Sequence, residues 1–463
     1  MQREAESNPA ASPRVRYRFL RGCITLFGVA SLSFILGAAV IFFDLPSSSF
    51  LRNAFLGGPA FFDPQQAAQQ PAKRPAAQGD PVFTIGTSDK PDKTCDGFTL
   101  CMCSGGTRAA LINMRGEVVH QWRAPLTTVW PDAPNQPAAG DEHLVYFNDG
   151  HLFPNGDLLV LAEGPTDLRK PSHGYGLVKL DKDSRVIWKY AANCHHALDV
   201  GEDGTIYALS NDFVDRLPEG LAYLPTPCLV DCVDIISPEG KQVRRIRLLE
   251  AFKKSAYASL LSTLEKPKLF NDVSPPDEPM PALREEMRRR DVLHTNAVTV
   301  LPSRLAAKFP LFKAGQLLVS PRHLDAIAVV DPQTDTVMWA ARGPWHAQHD
   351  PTFLDNGRLL LFDNLGSARG SRVLEYDPQS QAFPWSYPDE SGKRFLSRLR
   401  GMCQRLPNGN TLIVNSDGGE MLEVTPGHEL VWSCSCAGFE LHRARRFTAG
   451  QLSLLTAGQR ARP

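Results

Sequence analysis

The chain has 463 residues, with 50 Lys+Arg against 50 Asp+Glu, so no net field draws it toward polyanions and nucleic acid is excluded as a natural partner. Hydrophobic residues make up 43%, and 35 Gly with 37 Pro add many turns to ample core material. That balance makes an all-β architecture the first expectation.

Residues 1–21 form a basic N-terminal segment with Arg14, Arg16, Arg18 and Arg21. Residues 22–43 then read GCITLFGVASLSFILGAAVIFF without a charge, and a helix of ~20 apolar residues crosses the hydrocarbon layer. The arginines before this span and Asp44 after it predict a cytoplasmic N-terminus, with the rest extracytoplasmic, or periplasmic. A cleaved signal peptide is the alternative, but the apolar stretch exceeds the usual 7–15-residue core. Residues 44–81 are rich in Pro, Ala and Gln and read as a flexible stalk.

From residue 82 to 447 one unit recurs: apolar residues, an Asn-Gly or Asp-Gly turn, then a run of β-formers. Its copies are LFPNGDLLVLAE, LDVGEDGTIYALS, TFLDNGRLLLFDN and QRLPNGNTLIVNS, with a turn-altered copy beginning at Val298. A second hairpin follows each, usually ending in Trp, as in LVKLDKDSRVIWKY and MLEVTPGHELVWSC. Six such second hairpins, counting ALINMRGEVVHQW, recur at about 46 residues between Trp339, Trp385 and Trp432. Four strands per unit at that spacing predict a six-bladed β-propeller, whereas a β-sandwich would not repeat one hairpin pair so evenly. The first unit shows only its outer hairpin, so the C-terminal stretch is expected to complete it. A helical insertion is predicted at about 248–291, and 448–463 is a tail. Two C-x-C elements, Cys101 with Cys103 and Cys434 with Cys436, could tie the chain ends together; local pairs such as Cys228 with Cys232 are the alternative.

The innermost strands of a propeller line its central channel, so one register of successive copies faces a common axis. Eight residues before Gly204, Pro302 and Gly357 stand His196, His294 and His349; the same count reaches Asn148 and, beside Arg400, Gly401. Three of 12 histidines at one register predict a shared site. A single His there would more often cap a strand or bond within the core. His195, His323 and His346 are weaker candidates, and strand alternation predicts that His195 points away if His196 points in.

The motifs CHHALDVGEDGTIYAL, VLHTNAVTVLP, LLVSPRHLDAIAVVD, QHDPTFLDNGRLLLFDN, SRVLEYDP and LHRARRF give the chain a resemblance to the bacterial arylsulfate sulfotransferases, from roughly Leu111 to Phe447. That family's members look like six-bladed propellers that pass a sulfuryl group from an aryl sulfate to a phenol without a nucleotide donor. The resemblance implies His349 as the transiently sulfated residue, His196 and His294 as supporting histidines, and Asn296 and Arg322 as substrate-binding groups. It implies no cofactor and no metal. The long stretch between His294 and Arg322 and the insertion from Leu248 depart from the pattern and put the acceptor pocket in doubt. The expected partners are small aryl sulfates and phenols, the membrane through 22–43, and, left open, a second copy of the chain. A non-catalytic binding propeller and a three-imidazole metal site on His196, His294 and His349 are the competing readings.

Overall fold

In the turns of the repeat, the glycine takes a left-handed backbone, as at Gly156 (φ 93°) and Gly357 (φ 82°), which reverses the chain tightly enough for antiparallel strands to pair. The computed structural model describes residues 80–87, 90–133, 142–164, 174–265, 290–367, 369–390 and 392–453. The expected segments 1–21 and 22–43 and nearly all of the stalk lie outside them. Among the described residues no helix is long and apolar enough to cross a membrane.

The described strands make six sheets, five of four strands and one of five. The protein is a mostly-β six-bladed propeller, as the repeats predict. The innermost strands are Leu441–Phe447 in blade one, Tyr146–Leu152 in blade two, Cys194–Val200 in blade three, Thr295–Val300 in blade four, His349–Phe353 in blade five and Met402–Arg405 in blade six. Each touches the next around the ring. Blade one is thus completed by the C-terminal strand, which pairs antiparallel with Phe98–Cys103, Leu100 opposite Arg445. The sequence pattern did not reveal a further closure: Phe83–Thr87 adds a fifth, outermost strand to blade six, along Leu430–Cys436.

Six apolar clusters hold the ring, each shared by two neighbouring blades. In Leu158–Glu163, Leu158, Val160 and Ala162 face blade one while Leu159 and Leu161 face blade three. Both faces of the strand are therefore buried, which is why LLVLAE reads as a continuous apolar run rather than an alternation. The recurring Trp has its own reason. The indole N–H of Trp122 donates to Gly156 O at 3.0 Å, that of Trp188 to Pro238 O at 3.1 Å, that of Trp385 to Pro426 O at 3.0 Å and that of Trp432 to Met114 O at 3.1 Å. Each bond runs from an outer strand to a turn of the next blade, stapling neighbours by a partly apolar ring with one polar handle.

Among the described residues of the insertion, Leu248–Lys253 is an α-helix whose Leu248, Leu249, Ala251 and Phe252 cap the core between blades three and four, and Ala258–Glu265 is a 3-10 helix. Residues 266–289, including most of the second predicted helix, lie outside the described residues. All nine described cysteines are buried free thiols. Neither proposed disulfide arrangement is formed, although the sulfurs of Cys103 and Cys436 sit 3.8 Å apart across blades one and six.

Candidate functional site

All six innermost strands start at the same mouth of the channel. Pairing at that end is interrupted in five of them: at His442 in blade one, near Asn148 in blade two, opposite Leu209 in blade three, at Asn296 in blade four and at Asp350 in blade five. His196 (φ 60°), His294 (φ 48°) and Asp350 (φ 52°) adopt the left-handed region there. Non-glycine residues held in that region cost of order 1–3 kcal/mol, and bulges of this kind re-aim side chains beside functional sites.

The bulge overturns one expectation. His195 does not point away from His196: their Nδ1 atoms lie 2.9 Å apart, because the left-handed His196 breaks the alternation that the expectation assumed. His195 is itself buried, with its Nε2 3.7 Å from the buried Asp231 carboxylate. Burial pushes the Asp231 carboxyl up, while His195 draws it down.

His196 and His294 meet at 4.9 Å between ring centroids, and His323 stacks on His294 at 5.0 Å. His294 Nδ1 bonds to Asp291 Oδ2, and His323 Nδ1 donates to Asp291 O at 2.8 Å. Blades three and four thus contribute four clustered imidazoles, two of which the register count did not single out. His346, the remaining weaker candidate, pairs with Asp325 at 2.9 Å.

His349 is buried in a different setting. Its Nδ1 lies 3.0 Å from Ala347 O and 2.8 Å from Asn364 Oδ1. The Asn364 amide cannot be flipped, since its Nδ2 already donates to Ser397 O at 2.8 Å and Arg400 O at 2.9 Å. Two oxygen acceptors on Nδ1 require the proton there, leaving the lone pair on Nε2, a buried atom with no hydrogen-bond partner. Burial, and next the charge of Arg322, hold the imidazole well below its ordinary pKa, so it is neutral. Asn364 lies in the quoted motif LLLFDN, yet no sequence signal marks it as the residue that sets this tautomer.

Arg322 is 3% exposed, in the 3-10 turn Arg322–Leu324, with its backbone N–H 3.3 Å from His294 O. Asn296 Nδ2 donates to Gln348 O at 2.9 Å, and Gln348 Nε2 bonds to Ser320 Oγ at 3.1 Å and Ala326 O at 2.7 Å. Asn296 therefore steadies the backbone that carries His349, while its own Oδ1 remains buried without a partner. The structure brings together His196 and His294, and sets the charge of Arg322 on His349.

Across the mouth, Arg443 is the hub. Its guanidinium contacts Asp350 at 2.5 Å, Asp149 at 3.5 Å and His196 O at 3.5 Å. Asp350 also accepts from Cys403 N at 3.1 Å, and Asp149 from Leu198 N at 3.0 Å. One buried cation thus ties blade one to blades two, three and five directly beside the site. No group of three or more His, Cys, Asp or Glu among the described residues is placed to hold a metal ion.

A family model described as Arylsulfotransferase (ASST) matches residues 151–437, more than half of the chain. No curated protein matches. A protein of unknown function from Bacteroides caccae is similar in structure, with TM-score 0.47 and 12% identity over 76% of this chain and 98% of that one. A streptogramin B lyase is similar at TM-score 0.40 and 10% identity, covering 76% and 82% of the two chains. Virginiamycin B lyase from Staphylococcus aureus reaches TM-score 0.37 and 8% identity over 76% and 88%. Structural likeness of this size carries no functional inference.

Proposed function

Because the chain belongs to the arylsulfotransferase family, we propose that it carries a sulfuryl group from an aryl sulfate ester to a phenol in two half-reactions, through a sulfohistidine on His349. The observation that carries this reading is the state of His349: buried and neutral, with Nδ1 committed to two oxygens and Nε2 unpartnered. In the first half-reaction the Nε2 lone pair attacks sulfur, the S–O bond breaks, and its electron pair leaves on the aryl oxygen. The ring becomes cationic, and Ala347 O and Asn364 Oδ1 already face the Nδ1–H that shares that charge. In the second, an acceptor phenol gives its proton to His196 or His294, its oxygen attacks sulfur, and His349 departs neutral.

Sulfuryl transfer, like phosphoryl transfer, spreads charge over three oxygens, so positioned donors matter more than covalent chemistry. The planar guanidinium of Arg322 suits two of those oxygens. In the same proposal the propeller lies outside the membrane, anchored through 22–43.

The test is incubation with an aryl sulfate and no acceptor. A sulfuryl adduct on the His349 peptide and a phenol burst of at most one per site are expected, both abolished in His349→Ala. Undiminished burst amplitude in His349→Ala would move the nucleophile elsewhere. No burst with any aryl sulfate would leave a binding propeller as the better reading.

A further inference from the structure

Blades one, two and six place a second polar cluster at the same mouth, made of residues that play no part in the transfer described above. His442 is the second residue of the innermost strand of blade one and is 3% exposed, and both of its ring nitrogens are buried without a hydrogen-bond partner. Tyr146, which opens the innermost strand of blade two, lies flat on it, with ring centroids 4.1 Å apart and planes 3° from parallel. Arg400, just before the innermost strand of blade six, sits over the other aromatic partner, 5.7 Å from the Tyr146 ring, and donates to Tyr146 Oη at 3.2 Å and to Glu440 at 3.0 Å. The Tyr146 hydroxyl lies 3.4 Å from Glu163 Oε2, whose other oxygen is already engaged by Asn148 Nδ2 at 3.0 Å and by His196 N.

A buried donor and a buried acceptor left unmade each cost about 1–3 kcal/mol, and native structures keep few of them. The cluster is tied to the strand that carries His349: the residues following His349 and His442, Asp350 and Arg443, form a 2.5 Å ion pair. The Arg400 side chain is 28% exposed, so this member of the cluster borders solvent.

Resting on the sulfuryl-transfer reading, we propose that His442, Arg400 and Tyr146 form an aryloxide subsite that receives the phenolic oxygen of both the departing donor and the incoming acceptor. A neutral imidazole flanked by guanidiniums is a poor base and a good hydrogen-bond donor. Burial, Arg400 and Arg443 together keep His442 in that neutral form. As the S–O bond breaks, the electron pair settling on oxygen meets an imidazole N–H and a guanidinium; no proton need move. Tyr146 fixes the plane of His442 by stacking. The subsite therefore favours phenols, whose oxyanions form readily, over aliphatic alcohols.

The test is the dependence of phenol release on the leaving group, measured on the full chain with p-nitrophenyl sulfate and with unsubstituted phenyl sulfate. In His442→Phe and in Arg400→Met the loss is expected to grow as the leaving group worsens, several-fold for the nitrophenyl ester and about 10²-fold for the phenyl ester, the size of a lost oxyanion donor. Phe keeps the stack on Tyr146 and removes two unsatisfied nitrogens, so Tm should hold or rise; Arg400→Met, at a partly exposed position, serves if the buried change prevents folding. Equal losses with both esters, or none, overturn the subsite while leaving the transferase reading intact. Failure of the unmodified protein to release phenol from either ester overturns both.

Discussion

At the scale of single residues, the tautomer of His349, on which the proposed transfer rests, is set by partners that only the fold supplies. Asn364→Leu removes one of two acceptors on Nδ1, frees the ring to change tautomer and is expected to slow the burst by about 10²-fold without abolishing it, a typical effect for a lost positioning bond. Single-turnover kinetics with an aryl sulfate check this. The pH behaviour follows with a definite sign. The pKa of His349 lies well below the ordinary 6.5, so the burst rate is expected to stay flat as pH falls through 6.5, with no inflection there. Stability responds differently. His349 and His442 are both depressed by burial, and His151 is held at about 4. The unfolded chain takes up these protons below about 6.5 while the native chain does not, so native stability is full above that pH and falls below it, by about 1.4 kcal/mol per pH unit for each such histidine. Thermal melts between pH 7.5 and 5 should show Tm declining only on the acid side, less steeply in His442→Phe. The shared register of His196, His294 and His349 was legible in the sequence because the turns gave a common origin for counting. His195 was misplaced because a strand bulge leaves no mark in composition, and the contact of Tyr146 with His442 joins residues far apart in the sequence.

At the scale of elements, blade-to-blade contacts rather than single sheets hold the molecule. Leu161 is fully buried between blades two and three, and Leu161→Ala is expected to cost about 2–5 kcal/mol; chemical denaturation gives the value. The Trp staples are weaker individually, so Trp432→Phe, which loses the bond to Met114 O, is expected to cost about 1 kcal/mol. The blade count and the outer Trp were readable because each blade repeats one hairpin pair. The strand Phe83–Thr87 was not, since a lone strand outside any repeat has no partner visible in sequence. Cys103 and Cys436 lie in the shared core of blades six and one. With their sulfurs 3.8 Å apart, oxidation of the purified protein should yield this disulfide by mass spectrometry. Closing so long a loop stabilises by an upper limit on the order of 5 kcal/mol in the chain-entropy picture. Cys436→Ser should remove both the cross-link and the gain.

At the scale of the whole molecule, two closures join sequence ends: Leu441–Phe447 inside blade one and Phe83–Thr87 outside blade six. If the chain is anchored as proposed, protease added outside intact cells or spheroplasts should cut between Pro64 and Pro81 and release a folded propeller, and protection of the propeller would reverse the orientation. The propeller class was legible from periodicity alone, whereas the ring's closure by Arg443, which touches Asp350, Asp149 and His196 O from the final strand, was not. That last strand has a consequence in time. Because blade one waits for residues 441–447, a chain still emerging from the ribosome carries His196, His294 and His349 on strands already made but lacks the cation that ties their blades together. On the proposed transfer, the nascent protein therefore lacks its keystone, and sulfuryl chemistry is expected to begin only once the strand Leu441–Phe447 has been made.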